Sequence, residues 1–528
     1  MSGISRAGGI VASLLSAAAL AAPAQAPQHL RDREIHDADT LAWWHTTEAL
    51  SNDGMEGRDT GSPAYQRAAD YVADRFKSAG LKPAGEMGSY FQSVPMHEVA
   101  AIPAGTGFTF MSPSGAETTL KFLQEISITP ATDLSPTLEA ALAFRGYCGK
   151  DTMADVAGKI VVCFGTQREG LPSGSARAAN ARQGNAIGII NVDDPYFSIE
   201  PPRWPAAYAR SVTLRSADAA KPALAPLASM RLSAEGFAAL LSGTGQDSSA
   251  LLKSGGAKQP LPSFEIPGKL RIQLQIAQRD ISSPNIVAVL PGVAPTLKAE
   301  YVVIGAHLDG YGFGTPVNGD NLYNGTLDDA AYVALLIQMA DDYKARRIRA
   351  PKRSILFIAF TGEEKGLLGS RWFVEHPTVQ VEQLAADVNL DQLRPLFPLD
   401  ILTAEALNDT SLGEIARTVA TPMHIDIRPD VEPERNLLLR ADQHPFLAAH
   451  VPAISFIFGY DPNTEAERRY REWYQVRYHR PQDDLSQPMD FAAAQKFNTF
   501  FYRLVQSIAD QPRRPAIYPT SSFSANKH

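Results

Sequence analysis

The sequence has 528 residues, of which 45% are hydrophobic and 20% are charged, and its formal net charge at pH 7 is −8. These values are ordinary for a globular protein, so a disordered or collagen-like chain is excluded, and the length indicates roughly two to four domains. The negative net charge disfavours a broad nucleic-acid-binding surface. Only two cysteines are present, which excludes a disulfide scaffold and a cysteine-rich zinc module.

Residues 1–26 are typical of a signal peptide. Arg6 supplies a positive charge, and residues 9–22 form an apolar stretch that is short for a bilayer span. The small residues Ala22, Ala24 and Ala26 fit cleavage after Ala24 or Ala26, and a retained membrane anchor is the alternative. Because no other apolar run reaches the roughly 18 residues of a span, we expect a secreted or periplasmic protein without a membrane span after cleavage.

The N-terminal half predicts an α/β chain with an insertion. A helix is expected from about residue 60 to about residue 80, because apolar side chains recur there at helical spacing. Residues 158–164 and 186–191 have the pattern of buried strands, with a helix at 176–183 between them. This β-α-β pattern resembles the protease-associated domain, and the resemblance covers roughly residues 127–270. It implies no chemistry of its own.

Cys148 and Cys163 both lie in this region, fifteen residues apart in the sequence. In an exported chain a disulfide between them is expected, and two separate buried thiols are the alternative. Neither arrangement makes them catalytic, because no histidine-rich segment accompanies them.

After residue 285 the pattern becomes strand, loop and helix in repetition. Near-continuous apolar runs predict strands, and a long apolar segment predicts a helix at 327–343; the strands are expected at 285–290, 301–306, 354–360, 385–390 and 453–458. The predicted fold class is therefore α/β, with a mixed, mostly parallel sheet that helices cover on both faces. Sheets of this kind place their chemistry beyond the carboxyl ends of the strands.

Five strand ends, helix starts and loops of this half could deliver two histidines, two aspartates and a glutamate to one edge of the sheet: His307, Asp328 or Asp329, Glu363 or Glu364, Asp391, and His479. Buried carboxylates are costly unless they are paired or metal-bound, so their convergence would indicate divalent cations. Two imidazoles and three carboxylates suit zinc, with manganese or cobalt as substitutes. Five ligands fit two ions about 3.5–4 Å apart that share one carboxylate and hold a hydroxide. Such a site would catalyse hydrolysis.

Five sequence blocks, at 307–309, 325–330, 361–370, 389–391 and 478–479, together resemble the di-zinc aminopeptidases of metallopeptidase family 28, which are related to the glutamate carboxypeptidases. The resemblance implies two Zn²⁺ per chain and a zinc-peptidase fold of the phosphorylase-like type. It assigns His307 and Asp391 to one zinc, Glu364 and His479 to the other, and Asp328 to both.

The same resemblance assigns roles to the neighbouring side chains. Glu363 would be the general base, Tyr478 would donate a hydrogen bond to the tetrahedral oxyanion, and Asp309 would accept a hydrogen bond from the imidazole of His307 and so orient it. The expected domain order is a peptidase domain at 27–126 and 271–511, the insertion at 127–270 and a flexible tail at 512–528. We expect the loop at 310–324 to border the substrate.

The expected function is an aminopeptidase that acts on peptides or proteins. A carboxypeptidase of the glutamate carboxypeptidase type is the main alternative, since Arg394, Arg435 or Arg440 could bind a substrate carboxylate. A glutaminyl cyclase or an inactive, receptor-like binding protein also shares the resemblance. The intact ligand set disfavours both. The sequence leaves the residue preference, the oligomeric state and the role of the insertion open.

Overall fold

The computed structural model of the chain describes residues 3, 29, 31–165, 170–196, 208–215, 226–391 and 393–524. Apart from residue 3, the predicted signal peptide lies outside these residues. None of the helices formed by the described residues combines the length and the apolar character that crossing a membrane requires.

Helices are distributed along the whole described chain. In chain order they are α1 Ala38–Ser51, α2 Pro63–Ser78, α3 Gly174–Gln183, α4 Ala234–Leu241, α5 Ser248–Gly256, α6 Ala331–Lys344, α7 Leu368–Glu375, α8 Leu412–Ala420, α9 Gln443–Ala448, α10 Glu465–Val476 and α11 Phe491–Asp510.

The strands form two large sheets and a hairpin. In chain order they are β1 Lys82–Pro83, β2 Phe91–Ala101, β3 Gly107–Met111, β4 Glu117–Leu120, β5 Ile126–Ile128, β6 Thr137–Arg145, β7 Ile160–Phe164, β8 Gly188–Val192, β9 Arg210–Leu214, β10 Ala228–Leu232, β11 Ser263–Gln273, β12 Ile276–Leu290, β13 Tyr301–His307, β14 Gly312–Val317, β15 Asp320–Tyr323, β16 Ser354–Phe360, β17 Leu384–Leu390, β18 Ile401–Glu405, β19 Asp426–Arg428 and β20 Ala453–Phe458.

The larger sheet, which we call the catalytic sheet, has the strand order β19-β18-β20-β17-β13-β16-β12-β2-β9 among the described residues, with β1 beside β12. Strands β20, β17, β13 and β16 are parallel to one another, whereas β12, β2 and β9 pair antiparallel on one flank. The prediction of a mixed α/β sheet is confirmed, and its parallel part is confined mainly to the centre.

Both faces of the catalytic sheet are covered, as predicted. Alternate residues of β13 enter different cores: Val302 and Ile304 pack with the side chains of α1, α2, α6 and α11, and Val303 packs with Phe373 of α7 and Phe446 of α9. Because successive side chains of a strand point to opposite faces, a strand buried on both sides is apolar throughout.

The second sheet has the order β4-β3-β11-β6-β7-β8-β10-β5 in the described part of the chain and a hydrophobic core of its own. It starts at Gly107, earlier than the boundary expected for the insertion, and its strands β7 and β8 and the helix α3 lie where the β-α-β pattern predicts them. Cys148 and Cys163 are joined by a disulfide. The assignment of residues 127–270 as a protease-associated domain stays a prediction.

Helix α2 illustrates how the local sequence produces an element of this fold. The Ser62 side chain accepts a hydrogen bond from the backbone N–H of Tyr65, Pro63 occupies the first turn, and Arg75 and Lys77 lie in the last turn. The apolar face of the helix, which includes Phe76, is buried against the catalytic sheet.

Helix α6 starts later than its predicted first residue, Leu327. A π-helical turn at Thr326–Ala330 precedes it, and the backbone of Asp328 and Asp329 departs from helical angles there. Gly325 begins this turn with φ 60°, and a Cβ at this position would come 2.4 Å from the carbonyl oxygen of Asp328. The apolar pattern could not reveal this turn, because its residues are buried in the same way as those of the helix that follows.

Residues 512–524, which belong to the predicted flexible tail, lie against the catalytic sheet in the structure. Arg514 donates a hydrogen bond to the carbonyl oxygen of Glu382, Tyr518 donates one to Glu414, and Phe523 packs beside the core that contains Phe446.

Candidate metal centre

The structure brings the five predicted ligands together at the carboxyl edge of the parallel strands. His307 is the last residue of β13, Asp391 follows β17 and Glu364 follows β16. Asp328 comes from the turn before α6, and His479 comes from the loop after α10. The register places the ends of β13 and β16 side by side, with His307 opposite Phe360. Parallel strands thus deliver side chains from distant parts of the sequence to one edge.

The first group consists of His307, Asp328 and Asp391, whose possible ligand atoms lie within 4.8 Å of one another. His307 Nε2 is 3.3 Å from Asp328 Oδ1, and both side chains are at most 5% exposed. Two carboxylates and one imidazole in a buried position are a donor set that suits zinc.

The second group consists of Asp328, Glu364 and His479, whose ligand atoms also lie within 4.8 Å of one another. His479 Nε2 is 3.3 Å from Asp328 Oδ2 and 3.4 Å from Glu364 Oε2. Asp328 therefore presents one carboxylate oxygen to each group. This is the arrangement expected of a carboxylate that bridges two cations.

The electrostatics of the centre favour positive charge. Burial acts to lower the pKa of His307, but the negative charges of Glu363 and Asp329 outweigh it and raise that pKa well above its usual value. For Asp328, hydrogen bonds from His307 and His479 outweigh the effect of burial and hold its pKa well below the usual range. Burial and the charge of Asp328 raise the pKa of Glu364 well above its usual value. Excess acid of this kind fits the binding of divalent cations.

Glu363 lies beside the first group without belonging to it. Its Oε2 is 3.9 Å from His307 Nε2, and its side chain is 11% exposed. The backbone N–H of Glu363 donates a hydrogen bond to Asp309 Oδ1, at 3.0 Å, which fixes the start of the Glu363-Glu364 segment. Burial, together with the charges of Asp391 and Glu364, raises the pKa of Glu363 well above its usual value, although the charge of His307 opposes the shift.

Asp309 contacts the imidazole of His307 through its backbone carbonyl group and not through its carboxylate. His307 Nδ1 lies 3.0 Å from the backbone carbonyl oxygen of Asp309, whereas the nearest Asp309 carboxylate oxygen is 3.9 Å away. The carboxylate instead accepts hydrogen bonds from the Thr60 hydroxyl, at 2.8 Å, and from the backbone of Glu363. A hydrogen bond to the main chain still orients the ring, because donation from Nδ1 leaves Nε2 directed at Asp328.

Tyr478 packs against its neighbour His479, with a distance of 3.8 Å between the ring centroids. The Tyr478 side chain is buried, and its hydroxyl lies 3.3 Å from Arg440 Nη2. The oxyanion role of Tyr478 stays a prediction.

Tyr311, which sequence reasoning did not single out, lies in the loop that was expected to border the substrate. Its hydroxyl is 3.0 Å from His479 Nδ1 and also hydrogen-bonds to Glu364. One hydroxyl thus contacts both a histidine and a carboxylate of the second group. The sequence signal that could have revealed Tyr311 is its position as an aromatic residue directly after the His307-Leu-Asp309-Gly310 block.

Two further acids, Asp483 and Asp329, shape the turn that carries Asp328. The carboxylate of Asp483 accepts hydrogen bonds from the backbone N–H groups of Leu327 and Asp328, both at 3.0 Å. Asp329 accepts a hydrogen bond from the backbone N–H of His307 at 3.2 Å. The position of Asp483, four residues after His479, was the sequence signal that could have revealed the contact of Asp483 with this turn.

Arg58 is another buried residue that the sequence analysis missed. Its guanidinium donates to the carbonyl oxygens of Leu50, Leu308, Asn324 and Gly325, each at 2.8 Å. Burial lowers its pKa to about 10, against the opposing charges of nearby acids such as Asp483. Arg58 therefore joins the end of α1, the segment after β13 and the turn before Asp328.

Of the three arginines considered for carboxylate binding, Arg394 and Arg435 are buried, and Arg440 lies beside the Tyr478 hydroxyl. Arg394 is fully buried, its Nη2 is 3.8 Å from Asp328 Oδ1, and its guanidinium lies 4.3 Å from the centre of the Trp473 ring. Arg435 is also buried and donates to Glu432 and to the Tyr470 hydroxyl. A small cavity beside the second group is lined by a different arginine, Arg480.

Comparison with known proteins relates part of the chain to a family of peptidases. Residues 285–505 match the sequence model of Peptidase family M28. A probable zinc metalloprotease of Pyrenophora tritici-repentis (strain Pt-1C-BFP) is 27% identical over 270 residues, which are 44% of this chain and 59% of that protein. A second, of Pyrenophora teres f. teres (strain 0-1), is 26% identical over 249 residues, which are 44% of this chain and 50% of that protein. The chain thus spans about half the length of the curated relatives that it matches.

Solved structures share the fold over most of the chain. An aminopeptidase from Aneurinibacillus sp. strain AM-1 has a TM-score of 0.57 at 18% identity, covering 91% of this chain and 96% of that one. A zinc aminopeptidase from Bacillus subtilis has a TM-score of 0.57 at 19% identity, covering 89% and 95%. Identities this low establish the shared fold alone. Residues 285–505 therefore match Peptidase family M28, and the described chain shares the fold of these aminopeptidase structures.

Proposed function

We propose that this chain is an exported di-zinc aminopeptidase that releases N-terminal residues from peptides or proteins. The observation that carries the proposal is the position of Asp328, whose two carboxylate oxygens each lie 3.3 Å from a different histidine. That arrangement divides the five ligands into two groups with one shared member. Structural neighbours described as aminopeptidases support the same class.

In this proposal His307 and Asp391 hold one zinc, Glu364 and His479 hold the other, and Asp328 contacts both. Two zinc ions at these positions would lower the pKa of a shared water and polarise the scissile carbonyl group. Glu363, whose Oε2 is 3.9 Å from His307 Nε2, takes a proton from the attacking water and delivers it to the leaving amine. The Tyr478 hydroxyl donates a hydrogen bond to the oxyanion.

The charges around the centre favour an aminopeptidase over a carboxypeptidase. Arg394 is enclosed beneath Asp328 and against Trp473 with no exposed surface, so it cannot receive a substrate carboxylate. The carboxylates of Glu363, Glu364 and Asp328 attract a substrate α-ammonium group. Arg480, which lines the cavity beside the second group, is the residue that keeps carboxypeptidase activity as the second candidate.

Two other candidates fit the site less well. A cyclase that uses a single zinc does not need the second group of Asp328, Glu364 and His479. An inactive binding protein does not need Glu363 beside the first group.

One paired measurement tests the proposal: metal content and peptide cleavage by the full chain. We expect two zinc equivalents per chain at the centre and cleavage of a peptide with a free α-amine. Cleavage should be lost when that amine is acetylated and kept when the carboxyl end is amidated. The opposite dependence on the two blocking groups would establish the carboxypeptidase alternative.

A Glu363→Gln variant tests the general base. Because the amide cannot accept the proton of the attacking water, kcat should fall by roughly 10²–10⁴-fold, the usual contribution of a general base, while the zinc content stays unchanged. Glu375→Gln, an exposed substitution at the end of α7, is the matched control and should leave kcat unaltered. Equal kcat values for Glu363→Gln and the unsubstituted protein would remove Glu363 from the mechanism.

A further inference from the structure

A separate set of possible metal ligands lies near the N-terminal end of the described chain, far in sequence from the catalytic pair Glu363-Glu364. It is formed by two histidine-x-x-acid pairs: His29 with Asp32, and His45 with Glu48 of α1. We call these four residues the N-terminal cluster. Residues three apart on a helix lie on the same face, so His45 and Glu48 point in one direction from α1.

The two pairs of the cluster contact each other crosswise. His29 Nδ1 contacts Glu48 Oε2, and His45 Nε2 lies 2.7 Å from Asp32 Oδ1. The two imidazole rings stack with 3.8 Å between their centroids. One ligand atom from each of His29, His45 and Glu48 falls within a common span of 4.8 Å, so a small opening of the ring stack would allow all three to bind one ion.

The segment that carries His29 and Asp32 is held in place by Arg31. Arg31 Nη1 donates to the carbonyl oxygen of Gln487 at 2.6 Å, and the guanidinium lies 4.9 Å from the centre of the Phe491 ring and 5.9 Å from that of Trp44. Its side chain is only 11% exposed. Much of the conformational cost of bringing the two pairs together is therefore met by the fold before any ion binds.

We propose that the N-terminal cluster binds one divalent transition-metal ion. Two imidazoles and two carboxylates form a donor set that suits zinc, copper or nickel rather than calcium or magnesium, which prefer oxygen ligands alone. Side-chain exposure ranges from 11% for Glu48 to 45% for His29, so an ion can enter from solvent. The bound ion joins the segment before α1 to the face of α1. The proposal does not depend on peptidase activity.

The competing description is two hydrogen-bonded histidine–carboxylate pairs without an ion. The chain offers a matched example of such a pair at the surface: His97 Nδ1 lies 2.8 Å from Asp280 Oδ1, with 34% and 54% of the side chains exposed. Among the described residues, His97 and Asp280 belong to no group of three possible metal ligands. His97 therefore provides the control.

The experiment compares tag-free full chains that have been stripped with a chelator, dialysed against zinc and analysed for metal by mass spectrometry. The unsubstituted chain should hold one zinc equivalent more than the His29→Ala/His45→Ala variant, and His97→Ala should match the unsubstituted chain. Equal zinc contents in the unsubstituted and doubly substituted chains would overturn the proposal. Circular dichroism checks that the double variant is folded.

A second variant, Asp32→Asn/Glu48→Gln, keeps both imidazoles and tests the carboxylates. It should bind the additional zinc more weakly than the unsubstituted chain, and equal affinity would overturn the four-ligand assignment. Cleavage of a free-amine peptide should be the same in all of these variants. If none of the chains cleaves it, the aminopeptidase proposal fails, while the difference of one zinc equivalent still decides the N-terminal cluster.

Discussion

At the scale of single residues, Tyr311 is the side chain whose contribution to the centre is easiest to isolate. Its hydroxyl lies 3.0 Å from His479 Nδ1 and also hydrogen-bonds to Glu364. Since His479 Nε2 faces Asp328 and Glu364, a hydrogen bond at Nδ1 fixes both the tautomer and the direction of the ring. Contacts of this kind commonly tune metal affinity.

We expect Tyr311→Phe to weaken zinc binding by about 10–100-fold, the usual effect of removing a hydrogen bond to a metal ligand. A titration with a competing chelator measures the affinity. Tyr323→Phe is the matched control, because the Tyr323 hydroxyl donates instead to the carbonyl oxygen of Thr315 at 2.8 Å. An unchanged affinity in Tyr311→Phe would mean that this hydroxyl does not support the ligands.

Glu405 is a buried acid away from the metal ligands. Its side chain is 5% exposed, and its Oε1 accepts no hydrogen bond from the described residues. Burial, aided by the charge of Asp430 and opposed by Arg435, raises the pKa of Glu405 to about 8. The folded state therefore keeps this proton at pH values where the unfolded chain has lost it, so the free energy of unfolding falls as pH rises from about 4.5 to about 8.

Glu405→Gln should remove this pH dependence, because the amide resembles the protonated acid and does not titrate. Between pH 6 and pH 9 the unsubstituted protein should lose about 3 kcal/mol of unfolding free energy that the variant keeps. Urea unfolding at the two pH values measures the difference, with Glu375→Gln as the exposed control. Equal losses of unfolding free energy in the unsubstituted protein and in Glu405→Gln would contradict the raised pKa of Glu405.

At the scale of elements, residues within the predicted insertion contact both the catalytic sheet and the metal centre. Strand β9 pairs antiparallel with β2 at the edge of the catalytic sheet. Tyr208, two residues before β9, contacts the ammonium group of Lys365, which follows the Glu363-Glu364 pair. Lys365 Nζ lies 4.7 Å from the ring centres of both Tyr208 and Tyr311 and 3.4 Å from Asp59. Lys365 therefore connects the predicted insertion to the part of the chain that carries the metal centre.

Lys365→Met should therefore lower both stability and activity. Asp59 keeps its ion pair with Arg210 when the ammonium group is removed, so the expected cost is about 1–3 kcal/mol, that of a lost buried polar contact. The loss of the cation between the two tyrosines should also displace Tyr311 and reduce kcat/KM. Denaturant unfolding and steady-state kinetics measure the two effects. Lys269→Met, which removes an exposed lysine paired with Glu139, should change neither. Stability and kcat/KM that match those of the control would show that Lys365 does not couple the two parts.

At the scale of the whole molecule, the sequence predicts what depends on residues close together in the chain. The apolar run at 354–360 coincides with β16, Ser354–Phe360, because a strand buried on both faces has an apolar residue at almost every position. His307, Glu364 and Asp391 could be placed at one edge because each lies at, or a few residues after, the carboxyl end of a parallel strand.

Features that depend on distant partners could not be predicted. The pairing of β9 with β2 joins residues more than 100 positions apart, and no periodicity records such a choice. The backbone contact between His307 and Asp309 depends on the local path of the chain, which residue types do not specify. Tyr311 and Asp483 lie in loops, where hydrogen-bond partners are chosen by the three-dimensional approach of segments and not by a repeating pattern.

The whole molecule should also respond to metal removal, because the centre gathers acids with few compensating charges. Asp328, Glu363, Glu364 and Asp391 lie at one buried edge, and their mutual repulsion is relieved when cations bind. A ligand that binds only the folded state at 100 times its Kd adds about 2.7 kcal/mol to the free energy of unfolding. Chelation should therefore lower the melting temperature, and zinc should restore it. Magnesium, which prefers oxygen ligands and keeps its waters, should not. A melting temperature that is the same with and without chelator would mean that these acids hold no cation in the folded protein.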